Sequence, residues 1–388
     1  MKKYLILAAF AAVALGACTK VETTKVTESV PVSFGVYTGD AATKAVSETT
    51  YGVINSTDLL KASTYGFGVF AFHSDNSAGN NDYNNAAASN FTPNFMYNQQ
   101  VTWNGTDTWE YSPIKYWPNE YSTTDALSDK VDKLTFFAYA PWRESNPTTA
   151  PDEGIISFSA NNATGDPTVT FKVPAASENQ IDLLYSNADL KNKTKYAVNS
   201  KVGFTFVHAL SNLAIYPLAV FDGTSIPASN GTAVATGTTI KINSITITGK
   251  FNQEGTLNLA KGTWTSSAAA TDQTVSYTPA TAYDVTAIDD KADADAAGPV
   301  AEFMFVPSTA PANYVITIDY DVTTVDGALA NDSVVNNVIH KTLSSLNFQV
   351  GQKMKLYVAL GMTSVKVEAS VGDWTNGTDQ NVWLPVNL

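Results

Sequence analysis

Cysteine is almost absent from this 388-residue chain: Cys18 is the only one. That excludes a disulfide scaffold and any cysteine-based zinc site. Histidine is nearly as scarce. The three, His73, His208 and His340, lie far apart, and none sits in an HExxH pattern. Charged residues are 15% of the chain, against ~25% in an average domain. What charge there is leans one way, 36 acidic against 23 basic residues for a net −13, with Arg143 the single arginine. A chain with this balance and no basic run cannot grip a phosphate backbone, which excludes nucleic acid as a partner. No segment reaches the run of about 18 apolar residues that a membrane-spanning helix requires. No catalytic signature occurs, so neither an enzyme nor a cofactor is expected. Hydrophobic residues at 44% exclude a disordered chain.

What is present begins at the N-terminus. Lys2 and Lys3 precede an apolar run from Tyr4 to Leu15, twelve residues, too short to cross a hydrocarbon core of ~30 Å as a helix. The run ends Leu15-Gly16-Ala17-Cys18, which resembles the bacterial lipoprotein box. Residues 1–17 are therefore expected to be a signal peptide. Cys18 is the expected lipidation site, since a thiolate is the nucleophile that accepts the lipid. Several acyl chains anchor firmly where one holds only marginally, so the precursor should be tethered to a membrane. Residues 18–30 are polar and Thr-rich, as a tether should be.

Beyond residue 30, period-2 alternation dominates. Val32, Phe34 and Val36 share one strand face. The same pattern runs through Tyr314 to Val322, Met354 to Leu360 and Val365 to Val371. Its phase slips between Ile242 and Ile245, which predicts a β-bulge near Asn243 and Ser244. Helical periodicity is rare, and Ser56 could cap one short helix through Leu59, Leu60 and Ala62. Strands separated by Gly-, Asn-, Ser- and Thr-rich loops argue for an all-β chain of antiparallel β-sandwiches. The polar stretch Asn187 to Lys201 divides it into halves of sandwich size, 31–195 and 196–388. Loops 73–90 and 284–299 hold few large apolar residues and are expected to be exposed.

Three constellations invite a binding reading, and each has a plainer one. Trp103, Trp109, Trp117 and Trp142, with Tyr111, Tyr116 and Tyr121 nearby, could form a sugar-stacking platform, but large aromatics more often plug a core. The acidic residues Asp284, Asp289, Asp290, Asp293 and Asp295 could hold Ca²⁺, yet they lack the glycine and late glutamate of an EF-hand loop. His208, beside Phe204 and Phe206, reads as a hydrogen-bonded core residue. The C-terminus is sharper. Val382, Leu384, Val386 and Leu388 alternate up to the last residue, and Pro385 removes a backbone donor, which suits an edge or an added strand. Closing its own domain is the competing role for that strand.

Taken in order along the chain, these pieces resemble the fimbrillin family, the type V pilus subunits of anaerobic Gram-negative bacteria. The resemblance rests on the lipobox at Cys18, Ala42-Thr43-Lys44-Ala45, Tyr116-Trp117-Pro118, Asp182-Leu183-Leu184-Tyr185 and Phe204 to Ser211. It is completed by Phe303-Met304-Phe305-Val306-Pro307 and Val371-Gly372-Asp373-Trp374. It implies two tandem transthyretin-like sandwiches and a precursor exported as a lipoprotein. It also implies proteolytic removal of the first strand, Pro31 to Tyr37, by a cut between Lys44 and Ala45. The vacated groove would accept a donor strand, Val382, Leu384, Val386 and Leu388, from a neighbouring subunit. The implied partners are other pilus subunits, in a homo- or heteropolymer, the outer membrane through Cys18, and a host or bacterial surface receptor. The implied place is the outer membrane and fimbrium, and the implied role is cell adhesion. One departure keeps an alternative open. The family's best-known processing is arginine-specific, whereas here Lys44 stands at the cut and the lone Arg143 lies between apparent strands. An unprocessed chain would be a pilus anchor or a lipid-anchored glycan-binding lipoprotein that does not polymerise.

Overall fold

The computed structural model describes residues 29–38, 54, 56–76, 81–84, 90–118, 132–145, 153–195, 198, 201–220, 237–266, 269–308, 312–325, 327–361 and 365–373. The protein is nearly all β. Its N-terminal strands are β1 (Ser33–Thr38), β2 (Phe67–Ser74), β3 (Met96–Trp103), β4 (Trp109–Glu110), β5 (Lys133–Ala140), β6 (Gly154–Phe158), β7 (Thr168–Lys172), β8 (Leu184–Ser186) and β9 (Lys201–His208). Between β1 and β2 lies the helix α1 (Thr57–Ala62), started as expected by Ser56, whose side chain accepts from Leu59 N. No helix among the described residues is long and apolar enough to cross a membrane.

Seven of these strands form one sheet in the order β1-β9-β8-β5-β2-β3-β4. The sheet curls until β1 meets the stretch that follows β4. There Pro31 bridges Tyr116, Val32 N donates to Lys115 O, and Trp117 N donates to Val30 O, both at 2.9 Å. The inner face holds a core built from Val32, Phe34, Phe67, Trp109, Phe136 and Phe204. The outer face, through Phe70, Phe72 and Tyr139, packs on a second sheet by way of Val169, Phe171 and Leu257.

The second half comprises β10 (Ser211–Ala219), β11 (Thr238–Gly249), β12 (Glu254–Asn258), β13 (Thr263–Thr265), β14 (Gln273–Tyr277) and β15 (Tyr283–Asp284). It continues with α2 (Lys291–Ala297), β16 (Ala301–Phe305), β17 (Ala312–Thr324), β18 (Ser333–Leu346), β19 (Gln352–Leu360) and β20 (Val365–Asp373). A four-stranded sheet, β16-β10-β19-β20, faces a larger one, β14-β11-β17-β18, to which β15 adds through β11. Between them lies a core of Ile240, Ile245, Phe251, Phe305, Tyr320, Phe348 and Leu356. The phase slip is a register shift between Ile242 and Ser244 against β17, as the alternation predicts.

Strand pairing does not follow the line drawn at 195–196. β9, beyond that line, pairs with β1 and β8 in the first sheet. The β12–β13 hairpin reaches back to pair with β7, completing the sheet β13-β12-β7-β6. Nor are all ladders antiparallel: β1 pairs β9, and β10 pairs β19, in parallel. A polar linker marks where the chain crosses between cores, but strands far apart in sequence settle their own neighbours by which apolar faces they can cover.

The two loops expected to be exposed are partly internal. Tyr83 is fully buried, against Phe72, Phe91 and Phe137. Its hydroxyl donates to Asp166 Oδ1 at 2.8 Å. Burial, with the Asp166 carboxylate second, holds that phenol well above its ordinary pKa. In the second loop Val285 is buried and α2 forms, capped by Asp290, which accepts from Asp293 N at 2.8 Å. Low mean apolarity hid both, because one aromatic ring or one capped turn suffices to draw a loop inward.

Phe34 lies at 2% exposure and touches four rings, Phe67, Tyr111, Phe136 and Phe204, at centroid distances of 6.3, 5.2, 6.1 and 5.5 Å. Phe34→Ala is therefore expected to destabilise the chain by about 3–5 kcal/mol, measured as a shift in the urea midpoint. Tyr37→Ala, at a 65% exposed position on the same strand, should lie within about 0.5 kcal/mol of the parent.

Candidate functional site

The position of β1 makes it the candidate site. Val30, Val32, Phe34 and Val36 all pack into the first core, the outer two only partly buried. This is the alternation read from the sequence, now aimed inward. On one side β1 runs parallel to β9, in register from Ser33 opposite Lys201 to Thr38 opposite Phe206. On the other, residues 30–32 pair with 115–117, and the Tyr111 hydroxyl lies 2.8 Å from Val32 O and 3.2 Å from Lys115 O. Lift residues 30–38 away and both flanking backbones lose partners, while an aromatic-lined trough is left open.

The grip on β1 has a weak centre. Gly35 sits directly opposite Gly203, so the middle of the ladder has no facing pair of side chains. The Tyr37 ring covers part of the bare backbone: a Cβ built at Gly203 would meet it at 3.4 Å. Neither the glycine pair nor the closure by residues 115–117 is anticipated by the sequence. The one signal for the closure is Tyr116-Trp117-Pro118 itself, which alternation does not mark as a strand.

The tryptophans do not form a platform. Trp109 and Trp117 are core residues at 8% exposure, with Trp103 packed against Trp109 at 5.5 Å. Trp142 packs into the opposite core and donates Nε1 to Asn98 O at 3.0 Å. This is the plainer of the two readings. The acidic loop is split in use. Asp289, Asp290 and Asp293 bring carboxylate oxygens within 4.8 Å of one another, and partial desolvation, then the Asp293 carboxylate, raises the pKa of Asp289. Asp295 instead meets Lys355 and Tyr357, and Asp284 accepts from Thr286 N. Arg143 is held by its backbone: its carbonyl accepts from Asn98 Nδ2 at 2.7 Å and lies 3.2 Å from the Tyr139 hydroxyl. A protease needs an extended, free peptide, and this one is tied down.

His208 is a hydrogen-bonded core residue, with Nδ1 2.8 Å from Asp182 Oδ2. The sequence does not foretell what Asp182 does besides. The same oxygen accepts from Ile54 N at 2.9 Å, so a fully buried carboxylate fastens the chain shortly after β1 to β9. Cys18, Lys44 and Ala45, and the terminal residues Val382, Leu384, Val386 and Leu388, lie outside the described residues.

Known proteins bear on this arrangement. A profile of the family described as fimbrillin-like matches residues 43–374. The fimbrium subunit Fim1C of Phocaeicola vulgatus is 36% identical over 168 residues, which is 42% of this chain and 39% of that protein. The chain thus spans about two fifths of the curated relative it matches. A crystal structure of a fimbrial protein from Bacteroides vulgatus superposes at a TM-score of 0.61 with 25% identity, covering 89% of this chain and 99% of the other.

Removing Asp182 takes an acceptor from Ile54 N and from the His208 ring. Asp182→Ala should cost about 1–3 kcal/mol for each in a denaturant melt, and Asp182→Asn, which keeps a carbonyl oxygen there, distinctly less.

Proposed function

The chain belongs to the fimbrillin-like family, and from that premise we propose that it is a structural, non-catalytic subunit of a surface fimbria that assembles by strand exchange at the β1 slot and serves adhesion. In this reading it is exported with lipid on Cys18. A cut after Lys44, in the small polar stretch 38–50, frees the segment that carries β1. The terminal strand of another subunit then enters the slot.

The observation that carries the proposal is the place of β1 as the last stave of a closed core. Four inward positions, Val30, Val32, Phe34 and Val36, are filled by β1 and the three residues before it, and four apolar residues, Val382, Leu384, Val386 and Leu388, alternate at the other end of the chain. Strand addition of this kind draws affinity from main-chain hydrogen bonds and specificity from alternate side chains in pockets. Each such side chain contributes about 1.5–3 kcal/mol on burial. The Gly35–Gly203 pairing favours departure of the resident strand, and four apolar donor residues favour a tight replacement. A filament so joined persists because dissociation re-exposes the core.

Deletion of Gln380 to Leu388 is expected to leave an exported, folded protein that no longer enters SDS-resistant polymers; undiminished laddering would sink the donor assignment. N-terminal analysis of shed fimbriae is expected to read Ala45. An acylated Cys18 there would mean that β1 stays in place and would favour an anchor role instead.

A further inference from the structure

One exposed edge of the second half stands apart from the rest. Most edge strands of the described sheets are short: β4 has two residues, β13 three, and β6, β14 and β16 five each. β20 is longer but carries Lys366, Glu368 and Asp373 in its sequence. β18 is fourteen residues long, and among the described residues it pairs only with β17. From Ser333 to Ile339 it has no charge and no proline, the two devices that usually blunt an edge. Val334, Val335 and Val338 are 59%, 54% and 52% exposed.

We propose that this edge pairs with the same edge of a second copy, antiparallel, about a two-fold axis through Asn336. The argument is one of register. A two-fold axis normal to the sheet keeps each side chain on its own face, so the numbers of facing residues must have an even sum. Of the registers this allows, the one centred on Asn336 sets Val334 against Val338 of the second copy, twice over. It also sets the Asp332 carboxylate against the His340 imidazole, which can donate a hydrogen bond to it. Shifting the centre to Val335 puts Asp332 opposite Val338, and shifting it to Asn337 puts Val334 opposite His340. Only the Asn336 centre buries both outer-face valines on each other. The existing network leaves room for this. Asn336 Nδ2 reaches Asp319 and Asp321 of its own β17 at 2.8 and 2.9 Å, and His340 Nδ1 meets Thr317 Oγ1 at 2.9 Å, all on the outer face. The backbone edge remains the surface to be joined. The resulting contact links subunits side by side and does not depend on strand exchange at β1.

The test is thiol cross-linking of the full chain bearing Cys18→Ser, so that an introduced cysteine is the sole one. With a short bis-maleimide, Asn336→Cys should give a dimer as the main product. Thr342→Cys, also exposed, lies six positions from the axis, so its two copies are roughly 40 Å apart and should give background only. Adding Val334→Lys and Val338→Lys to Asn336→Cys places lysine against lysine and should reduce the dimer at least tenfold, while the far-ultraviolet spectrum stays unchanged. Equal linking at 336 and 342, or no dimer at 336, overturns the proposal. So does a dimer that forms only after residues 374–388 are removed, which would give the edge to the chain's own tail.

Discussion

The packing of Phe34 among Phe67, Tyr111, Phe136 and Phe204 is the contact on which the first core rests. A curled sheet buries its inner face only when its ends meet, and here one short strand makes both ends meet. With residues 30–32 ahead of it, it satisfies β9 on one side and residues 115–117 on the other, and the segment places four apolar side chains over rings that would otherwise face water. The energetic weight of residues 30–38 is therefore large for so short a segment. The same strand is held through a bare glycine pair at its centre. Large burial with a soft ladder suits the exchange proposed above, in which a vacancy would be costly and the resident strand could be peeled away from one end.

The rest of the molecule is tied together by contacts that do not involve β1. The β12–β13 hairpin pairs with β7 across the two halves. Asp166 collects the Tyr83 hydroxyl from one segment and Asn258 Nδ2 and Lys261 Nζ from the β12–β13 turn. Asp182 binds both His208 and the backbone at Ile54. A buried carboxylate oxygen that accepts from two segments fixes their relative position. A family built into surface fibres needs subunits that pass load without opening, and these cross-ties link segments far apart in sequence.

The edges divide the labour. The opening segment is paired with β9 along β1 and with residues 115–117 at residues 30–32. The strand from Ser333 to Leu346 is covered on one side, and its neutral, valine-rich stretch is available at all times. The first suits an irreversible, gated joint. The second suits a weaker lateral contact between copies, because seven residues of ladder and four valines are a modest surface against the area that a permanent interface buries.

Much of this was legible in the residues. Alternation over 32–36, 314–322, 354–360 and 365–371 placed strands where they are. The slip at 242–245 located the bulge, Ser56 located a helix start, and crowded tryptophans pointed to a core. These are local facts: a period of two, a capping oxygen and a ring's area act within a few residues of where they are written. Folding in three dimensions decided everything that depends on distant partners. It set Gly35 opposite Gly203, brought Lys115 to Trp117 alongside β1, drew Tyr83 inward to Asp166, and carried β9 and the β12–β13 hairpin across the apparent boundary. Strands of similar pattern are interchangeable as sequence. Only the fit of their faces, and the demand that every backbone edge find a partner, selects one arrangement among them.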